Sequence, residues 1–304
     1  MNLFSDGSPM RFLNPRTDFA FKKIFGSEES RDILLSFLNA ILDLQSPHLI
    51  QEVEIIDPYL APKIQGMKDT YVDVRVRDEQ GRSYIIEMQV LNVDGFEKRV
   101  LYNACKSYAG QLDVADRYHL LTDVVAVTIT NFIMFKDRAD IVSNFKLRAD
   151  DGDLYGEDLQ LVFAELPKFD RNETELLTVL DKWFYFLKHA DDLRVVPQAL
   201  ESDPAIRHAL AIANRAGLTP EEIDAQERRE MFIQDQRGAL TKALSQGLEQ
   251  GLAKGKAEGI AEGVEKGKQE EKLNIANSLL SLMEDDAIAK ITGLSIESVR
   301  QLRK

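Results

Sequence analysis

Three polar residues, Asp73, Glu87 and Gln89, interrupt the otherwise apolar pattern of "VDVRVRDEQGRSYIIEMQV", residues 72–90. The valines and isoleucines around them alternate as two strands do, and "DEQGR" carries the turn signal. Strand side chains point alternately to opposite faces. Val72, Val74 and Val76 then share one face and Asp73 takes the other. In the second strand Tyr84, Ile86, Met88 and Val90 share a face, leaving Glu87 and Gln89 opposite, with Ile85 and Leu91. A symmetric hairpin centred on Gln80 sets Asp73 directly across from Glu87. Facing residues of an antiparallel pair have Cβ atoms about 4.5–5.5 Å apart. Two carboxylates at that range repel unless a cation lies between them. Mg²⁺ suits the position, because it takes oxygen ligands, commonly one or two carboxylates with water and substrate phosphate. Gln89 would lie beside such an ion, able to orient water or contact phosphate but unable to act as a base. The competing reading is a half-exposed sheet whose outer face is polar. A zinc set is not expected, since His48, His119, His189 and His208 are scattered and Cys105 is the sole cysteine.

The elements that must position these residues are legible on either side. "TDFAFKKIFG" predicts a helix capped by Thr17 and stopped at Gly26. "SEESRDILLSFLNAILDL" puts Ile33, Leu34, Phe37, Leu38 and Ile41 on one helical face. "QEVEIID" reads as a short strand. After the hairpin, "DGFEKRVLYNACKSYAGQL" reads as a helix with Phe96, Val100, Tyr102, Ala104 and Tyr108 as packing residues. "DVVAVTITNFIMF" suits a buried strand and "LQLVFAEL" one more.

From about Glu173 the chain turns helical. "NETELLTVLDKWFYFLKHA" is expected to be capped at Asn172. "DPAIRHALAIANRAG" carries Pro204 near its start and Gly217 at its stop, and a third helix opens at Thr219 and Pro220. Then glycine recurs at positions 247, 251, 255, 259, 263 and 267. A four-residue period overshoots the helical repeat by about 40° per step, so the stripe winds around a helix. It either lets two helix backbones approach closely or marks a solvated linker. Glu and Lys between the glycines argue against a membrane zipper. The tail "DDAIAKITGLSIESVRQLRK" reads as a helix-turn-helix, with Ile288, Ala289 and Ile291 on its first helix. Gly293 makes the turn, Ser295 caps, and Val299 and Leu302 pack back. Its Arg300, Arg303 and Lys304 fit either groove binding or a hairpin that serves packing and assembly.

The totals set outer limits. A chain of 304 residues with 44% hydrophobic content supports one large domain or two modest ones. No apolar run is long enough to span a bilayer, and "MNLFSDGSPMRF" lacks the basic flank and apolar core of a signal peptide. With one cysteine, a reducing cytoplasm is the expected location. The net charge of −13 argues against whole-surface attraction to nucleic acid or membrane. Up to Asp150 there are 18 Lys and Arg against 22 Asp and Glu, and beyond it 20 against 29, so a phosphate-binding surface fits the first half better.

The hairpin resembles the Asp…Glu-x-Gln form of the PD-(D/E)XK nuclease core. With "NPRTDFAFKKIFG" before it, "RVLYNACKSYAGQL" and "VVAVTITNFIMF" after it, and the glycine-repeat tail, the chain is similar to the PD-(D/E)XK family transposases, also called Rpn-type recombination-promoting nucleases. The match covers residues 11–170 well and the rest loosely. The resemblance implies an α/β fold: a restriction-endonuclease-like core, with a mixed central sheet flanked by helices, and an α-helical C-terminal extension. The expected divisions are a nuclease-like core over 1–170, a helical extension over 171–237, a glycine-repeat helix or linker over 238–272, and a helix-turn-helix-like tail over 273–304. It further implies a Mg²⁺- or Mn²⁺-dependent DNA endonuclease, linked to recombination or transposition and to defence; self-association through the C-terminal helices is expected from the glycine stripe, and no membrane partner is expected from the composition. Asp73 and Glu87 would ligate the metal. Gln89 stands where most of the superfamily has lysine. Asp18 matches the acidic residue many members place on the first helix, while Lys22, Lys23, Arg99 and Tyr102 are candidate phosphate contacts. The alternative is a catalytically weak nucleic-acid-binding or assembly protein on the same fold.

Overall fold

The computed structural model describes residues 11–60, 68, 70–113 and 115–303, and the chain divides after Asp235 into two compact units. The opening segment, on which the signal-peptide expectation rested, lies largely outside the described residues. Among the described residues no helix is long and apolar enough to cross a membrane.

In the first unit, α1 (Asp18–Phe25) starts where Thr17 accepts from the Ala20 backbone N–H, and it stops at Gly26. After it, α2 (Arg31–Ile41) buries the five apolar residues predicted for its inner face. Then come β1 (Val53–Ile55), β2 (Tyr59–Leu60), β3 (Thr70–Tyr71), β4 (Val74–Asp78), β5 (Ser83–Gln89), α3 (Phe96–Ala109), β6 (Val124–Thr130), β7 (Val142–Arg148) and β8 (Leu154–Glu165). Six strands form one mixed sheet in the order β1-β4-β5-β6-β8-β7, and β2 and β3 form a separate ribbon. Parallel pairing joins β5 to β6 and β6 to β8; the other ladders are antiparallel. One face of the sheet packs on α1, α2 and the later helices α4 (Val179–His189), α5 (Gln198–Glu201) and α6 (Pro204–Ala213) around Phe25, Phe37 and Trp183. The other face packs on α3 through Ile85, Phe96, Val100 and Ala104. Both faces being covered, β6 is buried throughout, as its β-branched run requires.

α7 spans Pro220–Leu279, and its first turns belong to the first unit. They are held by Gln226, whose Oε1 accepts from the Thr17 hydroxyl at 2.8 Å, and by a Lys23–Glu222 ion pair at 2.7 Å. The second unit holds the glycine repeat, inside α7, followed by α8 (Asp285–Thr292) and α9 (Ile296–Leu302). Gly293 turns between α8 and α9 with φ +70°, where a side chain would be strained. Ser295 caps α9, and Ile288 and Val299 close a small core with Ala276.

Several expectations are corrected. β7 has no counterpart among the strands expected from sequence, because "VSNFKLR" is too polar to alternate clearly. α4 is capped by Thr178, with Asp181 completing a capping box, whereas Asn172 caps a separate short 3₁₀ turn. Tyr102 is exposed rather than packed. Arg303 spends its donors on Leu280 O, Met283 O and Asp285, and Arg300 also faces Asp285, so these two tail arginines serve the tail's own packing.

Candidate active site

The hairpin register sets the site. Val74 pairs with Ile86 and Arg77 with Ser83, the symmetric alignment expected from the sequence. Its turn is organised by Asp78, whose Oδ1 accepts from the backbone N–H groups of Gln80 and Arg82, and by Gly81 at φ +84°. The ladder ends at Val74, however. Asp73 sits on a bend one residue outside the strand, so the two carboxylates do not face each other as a ladder pair. The bend also sends Val72 to the α3 side of the sheet, away from Val74 and Val76.

At the bend, Asp73 Oδ2 accepts from the Met88 backbone N–H at 2.9 Å. Its Oδ1 lies 3.6 Å from Lys22 Nζ, which is 3.2 Å from Asp18 Oδ1. The Asp18–Lys22 spacing of one helical turn puts both on one face of α1. Glu87 is only 8% exposed, and its Oε1 accepts from Asn103 Nδ2 at 3.0 Å. Gln89 is turned away from both carboxylates. Its amide N–H donates to Leu91 O at 2.6 Å and its Oε1 accepts from Arg99 Nη2 at 2.7 Å.

These groups line one open cavity of about 400 Å³. Asp18, Lys22, Asp73, Glu87, Gln89 and Arg99 all reach it, joined by Arg16 and by Arg229, Phe232 and Ile233 from α7. Lys23 is engaged with Glu222, and Tyr102 lines the neighbouring groove instead.

Burial dominates the electrostatics. It pushes the Asp73 carboxyl up to about 7, with the hydrogen bond and charge of Asp18 adding to the rise and the Met88 N–H opposing it. Burial also raises Asp18, but its hydrogen bond with Asp73 and the nearby Lys22 ammonium outweigh this and leave it below its ordinary value. Of the two neighbouring carboxyls, Asp73 is therefore the one that binds a proton more readily. Glu87 is likewise raised by burial, against the pull of Asn103, Arg99 and Lys22.

The donor set is hard and anionic, which fits Mg²⁺ or Mn²⁺ and not a soft metal. Among the described residues no three His, Cys, Asp or Glu gather closely enough to hold an ion by themselves. Asp73 and Glu87 are the residues that would hold such an ion, with water and substrate oxygen completing its shell.

Sequence reasoning missed Asn103, Arg229, Phe232 and Ile233. Asn103 was discoverable, because it lies four residues after Arg99 on α3 and so shares its face. The α7 residues had no such signal; only the long-range docking of α7 on α1 brings them to the cavity.

Residues 15–243 match the family described as PD-(D/E)XK nuclease family transposase. No curated protein and no solved structure matches the chain.

Proposed function

Because this chain belongs to the PD-(D/E)XK nuclease family transposases, we propose that it is a Mg²⁺- or Mn²⁺-dependent endonuclease that hydrolyses phosphodiester bonds in DNA. The observation that carries the reading is the gathering of Asp18, Asp73 and Glu87 with Lys22 and Arg99 in one cavity. A bound divalent ion would lower the pKa of its water and offset charge on the scissile phosphate. Asp73 and Glu87 would hold that ion as carboxylates, Asp73 giving up its proton to solvent, with Asp18 close by beside Lys22. Lys22 and Arg99 would place positive charge where the phosphate gains negative charge in the transition state. Gln89 would act through Arg99, fixing its guanidinium, rather than on water. DNA recombination or transposition is the proposed setting, with defence against foreign DNA as a further use.

Plasmid nicking tests this. Wild-type protein is expected to nick with Mg²⁺ or Mn²⁺ and not with chelator present, and Asp73→Ala and Glu87→Ala each to lose at least about 100-fold in rate. Gln89 favours a second reading, because its amide is consumed by Leu91 and Arg99 where most of the superfamily has lysine. On that reading the protein binds DNA and does not cut it. Salt-sensitive binding without nicking by the wild type would support it and overturn the first.

A further inference from the structure

Beside the cavity that holds the three carboxylates lies a second groove of about 670 Å³, and Tyr71, Val93 and Arg99 line both. Its walls are chemically unlike the rest of this acidic chain. Lys68, Lys98 and Arg99 contribute three positive charges against a single negative one from Asp94. Among the described residues neither Lys68 nor Lys98 has an ion-pair partner, so both ammonium groups are available to an anion. Arg99 is held at the junction of the two cavities by Gln89 and by its stack over the Phe96 ring at 5.3 Å.

Tyr71 is the unusual member. Its side chain is 71% exposed, a large aromatic surface left open on the β2–β3 ribbon. It is not loose, since its ring packs on that of Tyr59 with centroids 4.8 Å apart and planes inclined by 30°. The ribbon itself is pinned to α3 by Lys106, whose ammonium donates to Lys68 O at 2.6 Å and to Thr70 Oγ1 at 3.3 Å. The protein therefore presents a braced aromatic face, flanked by cations, at the edge of the proposed cutting site. Tyr102 supplies a second, partly exposed ring on the facing helix.

We propose that this groove binds an unpaired segment of the DNA substrate, with a base stacked on Tyr71 and its backbone phosphates met by Lys68 and Lys98. Every base offers a π-face to stack, but in a closed duplex those faces are covered by neighbouring bases. The groove thus selects a flap, gap, frayed end or single strand and feeds the adjoining phosphate toward Arg99 and the carboxylates. This deepens the nuclease reading and rests on it for the identity of the substrate.

Fluorescence anisotropy with labelled oligonucleotides tests it, using the full chain with Ca²⁺ to limit cutting. Tyr71→Ala is expected to weaken binding of single-stranded DNA about tenfold. Tyr71→Phe should stay within about twofold, since the ring and not the hydroxyl does the stacking. Lys98→Ala should make the dependence of log affinity on log salt shallower by about 0.7. A blunt, closed duplex should distinguish Tyr71→Ala from the wild type little. Unchanged single-strand binding by Tyr71→Ala, or an equal loss on blunt duplex, overturns the proposal. Its failure is separable from that of the nuclease reading: wild-type nicking with Tyr71→Ala binding unchanged sinks only the groove, and Tyr71-dependent binding without any nicking sinks only the cutting.

Discussion

At the scale of single residues, the site is built against its own stability. The Asp73 carboxyl, ordinarily near 3.8, is pushed up to about 7 by the fold. Below 3.8 it is protonated folded or unfolded and makes no difference. Between the two values the unfolded chain releases the proton while the folded chain keeps it, so stability falls as pH rises, and above about 7 the loss is complete. Asp73→Asn keeps an acceptor for the Met88 N–H and cannot ionise. Its melting temperature is expected to exceed the wild type's by at least about 2 °C at pH 8, and the gap to close as pH falls toward 4. Saturating Mg²⁺ should raise the wild type and leave the variant unmoved. Scanning fluorimetry over a pH series checks both, and a variant less stable than wild type at pH 8 would contradict the burial argument. The same geometry ranks two polar groups of the pocket. Lys22 Nζ lies 3.6 Å from Asp73, while Gln89 reaches only Leu91 and Arg99. Lys22→Met should therefore slow nicking more than Gln89→Ala does, and the reverse order would move the key role to Gln89 and Arg99.

At the scale of elements, α1 is the hinge between what sequence shows and what it hides. Its cap, stop and apolar face are local signals, and Thr17, Gly26 and the Phe21–Ile24–Phe25 group fall where local rules put them. The hairpin register was equally legible, since the turn residues and the alternation agree on one alignment. What escaped was the end of the ladder. Whether Asp73 continues β4 or bends out of it depends on the Met88 N–H and on Lys22, neither of which the strand pattern encodes. The docking of α7 on α1 was hidden for the same reason: Thr17 and Gln226 are 209 residues apart. That contact gives Thr17 two tasks, capping α1 and bonding a buried amide. Thr17→Ala removes the cap and strands Gln226, and is expected to cost about 2–3 kcal/mol in urea denaturation. Lys23→Ala breaks a half-exposed pair with Glu222 and should cost under about 1 kcal/mol. Equal costs would mean that α7 is held by charge rather than by the buried hydrogen bond.

At the scale of the whole molecule, the acidic balance and the exposed C-terminal helix ask for a partner other than DNA. The six repeat glycines of α7 cost about 1 kcal/mol each relative to alanine. In the second unit nothing among the described residues covers them: a Cβ added at any of the glycines 247, 251, 255, 259, 263 or 267 would meet no atom within 4 Å. Leu240, Leu244, Leu248 and Leu252 are exposed along the same helix at a four-residue spacing that resumes, after Lys256, with Ile260 and Val264; from Leu248 on each follows a glycine by one residue. A helix with this propensity deficit and an open apolar stripe is supported best by another helix, and small residues beside the stripe allow close approach. A second copy of the chain carries the same stripe, so self-association is the expected source of support. Light scattering should give the full chain a mass above 34.4 kDa. Truncation after Gln236, or Leu248→Asp with Leu252→Asp, should reduce it to a monomer, and the double variant should also lose helical circular dichroism. A full chain that is monomeric at all concentrations, with its helix content intact, would show that the helix stands on intrinsic propensity and side-chain pairs such as Lys266–Glu262 alone.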